Sequence, residues 1–425
     1  MIMTTPHRPR AEPPSWRIAI AGGGLAGLAL ALALRRAVGA PVVVTVCDPA
    51  LHRDPAQDKR AYAVAAGARK MLQALGVWDR IANGAQPILD MVITDSRLTD
   101  PVRPVFLTFS GEVEPGEAFA HMVEGGALSA ALAAACRDAG ADLIPAGVAG
   151  FSSRGSHLAV EIGQGEHQQV LEAHLLVAAD GARSRLREMA GIGWVGWSYP
   201  QQAIVATVAH ERDHGACAVE HFLPSGPFAI LPLRPGGPLG HRSSIVWTEA
   251  SASAPHLLAL DPESQRLEVE RRFGLQLGAI VLETGLQAYP LSFGIARRFV
   301  GERVALLGDA AHVIHPIAGQ GLNLGLKDSA ALAEAIVDAV RLGLDPGGGE
   351  ALDAYERARR FDSFAMGVVT DGLNRLFAND LLPLRLVRDL GLGIVDRMPM
   401  LKRFFIREAA GLAASGPRLL RGEAL

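Results

Sequence analysis

Apolar and polar positions follow two different periods along this chain, and the change of period divides it. From Ile18 to Ala21 the sequence is continuously apolar, as in a strand buried on both faces. Glycines 22 to 24 break the run, and Leu25 to about Val38 is an alanine- and leucine-rich stretch that predicts a buried helix. A second apolar run, Val42 to Val46, completes a strand–helix–strand unit. Helical pattern returns at about Ala127 to Ala139, followed by strand-like runs near Ala141 to Ile144, Leu158 to Ile162 and Leu175 to Ala179. The run Val304 to Leu307 and a helix from about Leu322 to Val340 repeat the strand-then-helix order. Between residues 194 and 297 the pattern changes to runs such as Ala203 to Ala209 and Ser244 to Thr248, with turns at Pro224-Ser225-Gly226 and Pro235-Gly236-Gly237. That segment predicts a mostly antiparallel sheet.

The expected fold class is mixed α/β: a discontinuous Rossmann-like domain interleaved with a mostly antiparallel sheet domain, then a helical C-terminus. The first takes residues 17–85, 123–193 and 298–360, the second 86–122 and 194–297, and the third 361–425. Residues 1–16 are polar and Pro-rich and read as a frayed tail.

Chemistry enters with Gly22-Gly23-Gly24-Leu25-Ala26-Gly27. These residues follow a strand and open a helix, and Asp48 ends the next strand 21 residues past Gly27. This is the dinucleotide fingerprint in its required context. Gly22 permits the tight turn, Gly24 lets a pyrophosphate approach the backbone, Gly27 lets helix and strand pack, and Asp48 accepts from ribose hydroxyls. By itself the fingerprint does not separate NAD from FAD. A second signal is Gly308-Asp309, a carboxylate at a strand end, followed by a loop through His315-Pro316 to Gly319-Gln320-Gly321-Leu322-Asn323. Such a loop brings bare N–H groups and a positive helix end to a ligand. The pair His312 and His315 has no third ligand candidate close by, so no metal site is expected.

Those two segments, with Ala179-Asp180-Gly181-Ala182-Arg183-Ser184 between them, resemble in order and type the group A flavoprotein aromatic hydroxylases of the p-hydroxybenzoate hydroxylase fold. Further stretches resemble the ubiquinone-biosynthesis hydroxylases among them: Asp58-Lys59-Arg60, Leu75-Gly76-Val77-Trp78, Tyr199 to Ala203, Glu220 to Pro227, Leu231-Pro232-Leu233, Val246-Trp247-Thr248, Tyr355 to Arg359 and Thr370 to Phe377. The likeness runs from about Arg17 to about Gly411. It implies FAD as cofactor and NAD(P)H as co-substrate, with O₂ adding to reduced flavin as a C4a-hydroperoxide that hydroxylates a polyprenylated phenol. By the same resemblance Gly22, Gly24, Gly27 and Asp48 hold the ADP half of FAD. Arg60 lies near the ribityl and pyrophosphate region, Asp180 and Gly181 serve FAD and NAD(P)H, and Asp309 binds the ribityl chain. Pro316, Gly319, Gln320, Gly321, Leu322 and Asn323 lie along the isoalloxazine. One departure is Gly125-Gly126, where many members carry Arg or Asn, so that helix offers no side chain for the flavin. A single fingerprint means that NAD(P)H binds transiently on the flavin domain.

Composition narrows the picture without redirecting it. The chain has 425 residues, 49% of them apolar, and a net charge of −3, which argues against nucleic acid as partner. Its three cysteines, Cys47, Cys136 and Cys217, are widely spaced, which fits a reducing compartment. No run is long enough to span a bilayer, so the expectation is a cytoplasmic protein with peripheral contact to the membrane face and to other ubiquinone-biosynthesis proteins. From Arg375 to Leu425 there are nine basic and five acidic residues, and Leu401-Lys402-Arg403-Phe404-Phe405-Ile406-Arg407 interleaves charge with apolar bulk. No catalytic base stands out; Tyr199, His221 and Tyr289 read as pocket wall or structural hydrogen-bonders. The alternatives are a hydroxylase of a small soluble aromatic compound and a flavin-binding assembly subunit without turnover.

Overall fold

Continuous apolar strands need cover on both faces, and here helices supply it. The computed structural model describes residues 16–95, 105–110, 113, 116–165, 168–316, 319–377, 410–412 and 416–425. It contains a six-stranded sheet in the order Val300–Gly301, Val304–Leu306, Leu175–Ala178, Trp16–Ala21, Val42–Cys47, Asp142–Ile144. Every pairing in it is parallel except the edge pair Val300–Gly301 with Val304–Leu306. The helix Leu25–Val38 is buried without a break from Gly27 to Leu34. It packs against the helices Gln320–Arg341 and Gly125–Asp138. Small residues let the first of these pairs come close: a Cβ on Gly325 would lie 3.4 Å from Ala26 Cβ, and Ser329 Oγ donates to the Ala26 carbonyl at 2.9 Å.

The second sheet has nine strands. Its path runs His312–Val313, Gln287–Ala296, Trp194–His210, His241–Ala250, Gly226–Leu233, Cys217–Leu223, Asp90–Asp95, Val105–Ser110, with Ile280–Leu282 paired to Trp194–His210. The pairings are antiparallel except that of Asp90–Asp95 with Cys217–Leu223, which is parallel. One face buries Ile204, Trp247 and Phe228 against Val269 and Phe273 of the helix Pro262–Phe273. On the other face, Ala218 and Leu233 pack with Met122, Ala120 and Ile88.

A smaller sheet joins the two. Ala120–Glu124 pairs on one side with Ala61–Ala65 and on the other with Gln86–Ile88. So of the segment 86–122, Asp90–Asp95 and Val105–Ser110 enter the large sheet, whereas its two ends pair with each other, and the later one also completes the ladder of Ala61–Ala65. The helix Gly349–Phe377, 29 residues long, continues through position 360, where a border was expected. Trp16, expected in the tail, begins the first strand; residues 1–15 and the segment Leu401 to Arg407 lie outside the described residues.

Candidate functional site

The three motifs separated by nearly three hundred residues of chain arise at one place. Ala21, Ala178 and Leu306 form a cross-strand row in three adjacent parallel strands. The chain leaves that row as Gly22, as Ala179-Asp180-Gly181 and as Leu307-Gly308-Asp309, all at the carboxyl ends of their strands. This is where open α/β sheets bind ligands. Backbone bonds hold the exits together: Ala179 N–H donates to Ala21 O at 2.8 Å, and Leu307 N–H to Ala178 O at 2.9 Å.

The fingerprint glycines fall into two kinds. Gly22 has φ +129°, and a Cβ there would collide with the Ala179 carbonyl. A Cβ on Gly27 would collide with the Gly22 carbonyl. These two are needed by the fold. Gly24, by contrast, caps the helix and faces open space, with nothing within 4 Å of an added Cβ. Gly125 and Gly126 explain the missing side chain on the neighbouring helix. A Cβ on Gly125 would lie 2.7 Å from Tyr62 and 2.8 Å from Asp58, and one on Gly126 would lie 2.5 Å from the Pro55 carbonyl. The helix start is pressed against the loop that carries Arg60.

Asp48 accepts from Gly23 N–H at 2.7 Å and from Ala50 N–H at 2.6 Å, which locks the glycine turn to the second strand. Asp180 accepts from Leu186 N–H at 3.3 Å and is otherwise exposed; Gly181 beside it has φ +85°. Asp309 is open to solvent at the end of its strand, yet protein crowds around it. Desolvation raises its carboxyl pKa, and His312 and Arg60 pull in the opposite direction. Arg60 thus lies within electrostatic reach of Asp309. It is held by a bidentate pair with Asp58, at 2.8 and 2.9 Å, and lies over the Tyr62 ring. That pairing raises the Arg60 pKa.

The loop after His315 ends in a turn, with Gly319 N–H donating to Pro316 O at 3.0 Å, and then enters the helix Gln320–Arg341. Gly319 takes the left-handed conformation, φ 63°. Gly321 is helical and exposed, with nothing within 4 Å of an added Cβ. The first N–H groups of this helix fall outside its own hydrogen-bond ladder. Asn323 has a structural task in this loop. Its side chain is occupied by protein: Nδ2 donates to Ala63 O and Gly319 O, and Oδ1 accepts from Ala65 N–H at 2.9 Å. It fixes the loop to the small sheet, which leaves only backbone for a ligand at that residue.

Two residues that the motifs did not single out hold the site together. Arg187 donates to Ala182 O at 3.2 Å and Ala310 O at 3.0 Å, and its guanidinium stacks over Trp194 at 4.1 Å. It ties the Asp180 loop to the Asp309 loop. Asp328, fully buried, accepts from Gly308 N–H at 3.1 Å, His312 Nε2 at 2.6 Å and Arg359 Nε at 2.6 Å. Desolvation opposes its charge, but His312 and Arg359 outweigh that and hold its carboxyl below the usual range. Arg359 also pairs with Asp362, and Tyr355 donates to Leu306 O at 2.7 Å. Gly308, His312 and the stretch Tyr355 to Arg359 carried sequence signals; Asp328, which joins them, carried none. His312 and His315 diverge, the first to Asp328 and the second edge-on against Tyr199 at 5.3 Å; no metal-holding group occurs among the described residues. Tyr199 donates to Asp371 at 2.6 Å, His221 pairs with Thr94 at 2.6 Å, and Tyr289 donates to Gln287 at 2.9 Å.

FAD fits these residues. Gly24 and Gly321 leave open space at the starts of two packed helices, and Asp309 lies within electrostatic reach of Arg60. A family model described as FAD binding domain matches residues 15–370. The ubiquinone hydroxylase UbiL of Rhodospirillum rubrum is 44% identical over 95% of this chain and 92% of its own length. This chain is a member of the ubiquinone-biosynthesis hydroxylases, a family of FAD-dependent monooxygenases. The 3-demethoxyubiquinol 3-hydroxylase of Escherichia coli is another relative, 34% identical over 93% of this chain and 98% of that protein. The fold of the hydroxylase is shared more widely: p-nitrophenol 4-monooxygenase of Pseudomonas putida superposes with TM-score 0.74 at 20% identity, covering 93% and 98% of the two chains. FAD is the cofactor and NAD(P)H the co-substrate of this family of ring hydroxylases.

Proposed function

We propose that this hydroxylase adds one oxygen atom of O₂ to the aromatic ring of a polyprenylated phenol in ubiquinone biosynthesis. The other oxygen leaves as water, with NAD(P)H as two-electron donor. Bound FAD supplies the hydride acceptance and oxygen activation. The observation that supports this reading is a shared neighbour: Ala63 is bonded to Asn323 of the motif loop and packs against the apolar cluster that includes Ala218 and Leu233 of the large sheet.

The protein's own residues have four tasks. Gly22 and Gly27 shape the turn for the pyrophosphate, and Gly24 leaves it room. Asp309 accepts from the ribityl hydroxyls, Arg60 offsets phosphate charge, and Asp48 takes the adenosine ribose. The start of the helix Gln320–Arg341 directs N–H groups to the flavin's pyrimidine edge, where negative charge gathers on reduction. Apolar residues of the facing sheet exclude water. Asp180 and Gly181, on the exposed rim, meet NAD(P)H. The test is NADH or NADPH oxidation by the FAD-loaded protein with a short-chain prenylated phenol. Stimulated oxidation with formation of the ring-hydroxylated product is expected; oxidation that the phenol leaves unchanged would rule the reading out.

No helix among the described residues is long and apolar enough to cross a membrane. A polyprenyl tail is insoluble in water, so the substrate must be collected at a lipid surface or from a partner protein. The helix Gly349–Phe377 exposes Phe361, Phe364 and Val368 on one face, at 79%, 51% and 51%. Together with Lys402, Arg403 and Arg407 this supports peripheral contact with anionic lipid. Absence of binding to anionic liposomes at low salt would shift delivery to partner proteins.

A further inference from the structure

Strand Cys217–Leu223 presents alternate residues to opposite sides of the large sheet. His221 stands in register with Phe228, which pairs with Trp247 and through it with Ile204. That row belongs to the face under the helix Pro262–Phe273. The next row, Ile93, Glu220, Ala229, Val246 and Val205, therefore points the other way. Four of its five members are apolar, and a carboxyl among them breaks the pattern.

Two observations turn this face toward the cofactor cradle. Ala218, on the same side of the strand as Glu220, packs with Met122, Ala61 and Ala63, and Ala63 is held by Asn323 at the flavin loop. Tyr289 stands opposite Ala203, two residues from Val205 and so on the same face. It lies close enough to Arg60 to act on its charge, and Arg60 acts in turn on Asp309.

Glu220 is only 9% exposed, and it forms no hydrogen bond or ion pair with any described residue. Burial pushes its carboxyl pKa up to about 7. A carboxyl on a mostly apolar surface, with no donor beside it, is satisfied when a ligand brings one. Three nearby polar side chains are engaged: Gln201 with Ser225 and Asn374, Tyr199 with Asp371, Tyr289 with Gln287. We propose that Glu220 recognises the substrate, accepting a hydrogen bond from its phenolic hydroxyl and so fixing which ring carbon faces the flavin. The inference rests on the reading of this protein as a phenol hydroxylase. With apolar residues on all sides of Glu220 in its row, a ring bound there has one anchoring point for its hydroxyl.

At a pH well above 7, where the Glu220 carboxyl is ionised, the test titrates the oxidised, FAD-loaded enzyme with a short-chain prenylated phenol and with its methyl ether, followed by the change in flavin absorbance. The ether has the same ring and tail but no hydrogen to donate. Wild type should prefer the phenol by about tenfold or more, the scale of one hydrogen bond to a charged acceptor. E220A should bind both compounds alike, at the affinity of the ether, and should yield mixed ring positions on turnover. E220Q is isosteric and neutral; it should retain part of the preference, and it gives the answer if E220A does not fold. Full preference for the phenol in either FAD-loaded variant would overturn the assignment. Equal binding of phenol and ether by wild type would overturn it as well, while leaving the phenol-hydroxylase reading standing. If neither compound perturbs the flavin of wild type, that reading itself falls, and the role of Glu220 with it.

Discussion

The cradle at the ends of the parallel strands and the sheet face across from it are held in shape by different atoms. In the cradle the constraints are on backbone: Gly22 lies against Ala179 O, Gly27 against Gly22 O, and Gly319 at φ 63° opens the helix. Glycine satisfies such positions best, and at Gly22 and Gly27 no larger residue fits, so they are written into the sequence as a spaced motif. On the sheet face the constraint is alternation alone. Any residue of suitable size and polarity fits, and position in a row decides whether a side chain faces the small sheet or the helix Pro262–Phe273. A cofactor shared by many enzymes is therefore legible locally, whereas the substrate is read by side chains that carry no motif.

The comparison can be broken most sharply at Gly22. Gly22→Val places a β-branched residue at φ +129° and drives its Cβ into the Ala179 carbonyl. Backbone strain and overpacking together reach on the order of 5 kcal/mol, comparable with the whole stability of many domains. The expected result is no soluble, flavin-containing protein. A yellow, folded variant with the wild-type melting temperature would show that the cradle is not backbone-limited.

Much of the first region was legible for this reason. The helix Leu25–Val38 has the limits that its composition predicted, and the strands before and after it agree within two residues. The gathering of three distant motifs was readable only through the family resemblance, because parallel pairing between Trp16–Ala21, Leu175–Ala178 and Val304–Leu306 leaves no local mark. Arg187 and Asp328 escaped notice because their partners are carbonyls and side chains up to 123 residues away in the chain. Glu220 lay within a recognised stretch, but its alternation gives no sign of which face is which until the helix Pro262–Phe273 is placed. Gly319 and Gly321 stand in one loop motif, and backbone angles separate them.

A second prediction probes the buried support of the cradle. Asp328→Ala removes the acceptor of Gly308, His312 and Arg359 and leaves a guanidinium only 1% exposed with fewer partners. Breaking a buried pair in this way costs about 3 kcal/mol or more. Because the Asp328 carboxyl is held below its usual range in the folded protein, its stabilisation is present above the ordinary aspartate pKa. It is lost as the pH falls through the lowered value. The variant should therefore melt lower at neutral pH and lose less of its remaining stability on acidification. Parallel acid limbs for variant and wild type would remove Asp328 from the pH dependence.

Asp309 tests the cradle's side chains rather than its backbone. Asp309→Ala should leave the melting temperature of the flavin-free protein nearly unchanged, since the carboxylate is exposed. Loss of a charge-assisted hydrogen bond to the ribityl chain weakens FAD by about 1.5–3 kcal/mol, roughly 10- to 150-fold. Unaltered occupancy at limiting FAD would sink the assignment.

The smallest expected effect separates the two kinds of glycine within one loop. Gly319 and Gly321 are two residues apart, but the first has φ 63° and the second is helical with open space around it. Gly319→Ala should destabilise the flavin-free protein by about 1 kcal/mol, the strain of a left-handed alanine. Gly321→Ala should do the opposite, raising its stability by up to about 1 kcal/mol, because alanine loses less backbone freedom in a helix. If the open space at Gly321 belongs to the flavin, the same alanine should weaken FAD even as the flavin-free fold gains. Melting curves without FAD and binding titrations with it separate the two effects. A Gly321→Ala protein with undiminished FAD affinity would mean that the isoalloxazine does not approach this residue. Gly319 would then be the loop's one required glycine, for reasons of fold alone.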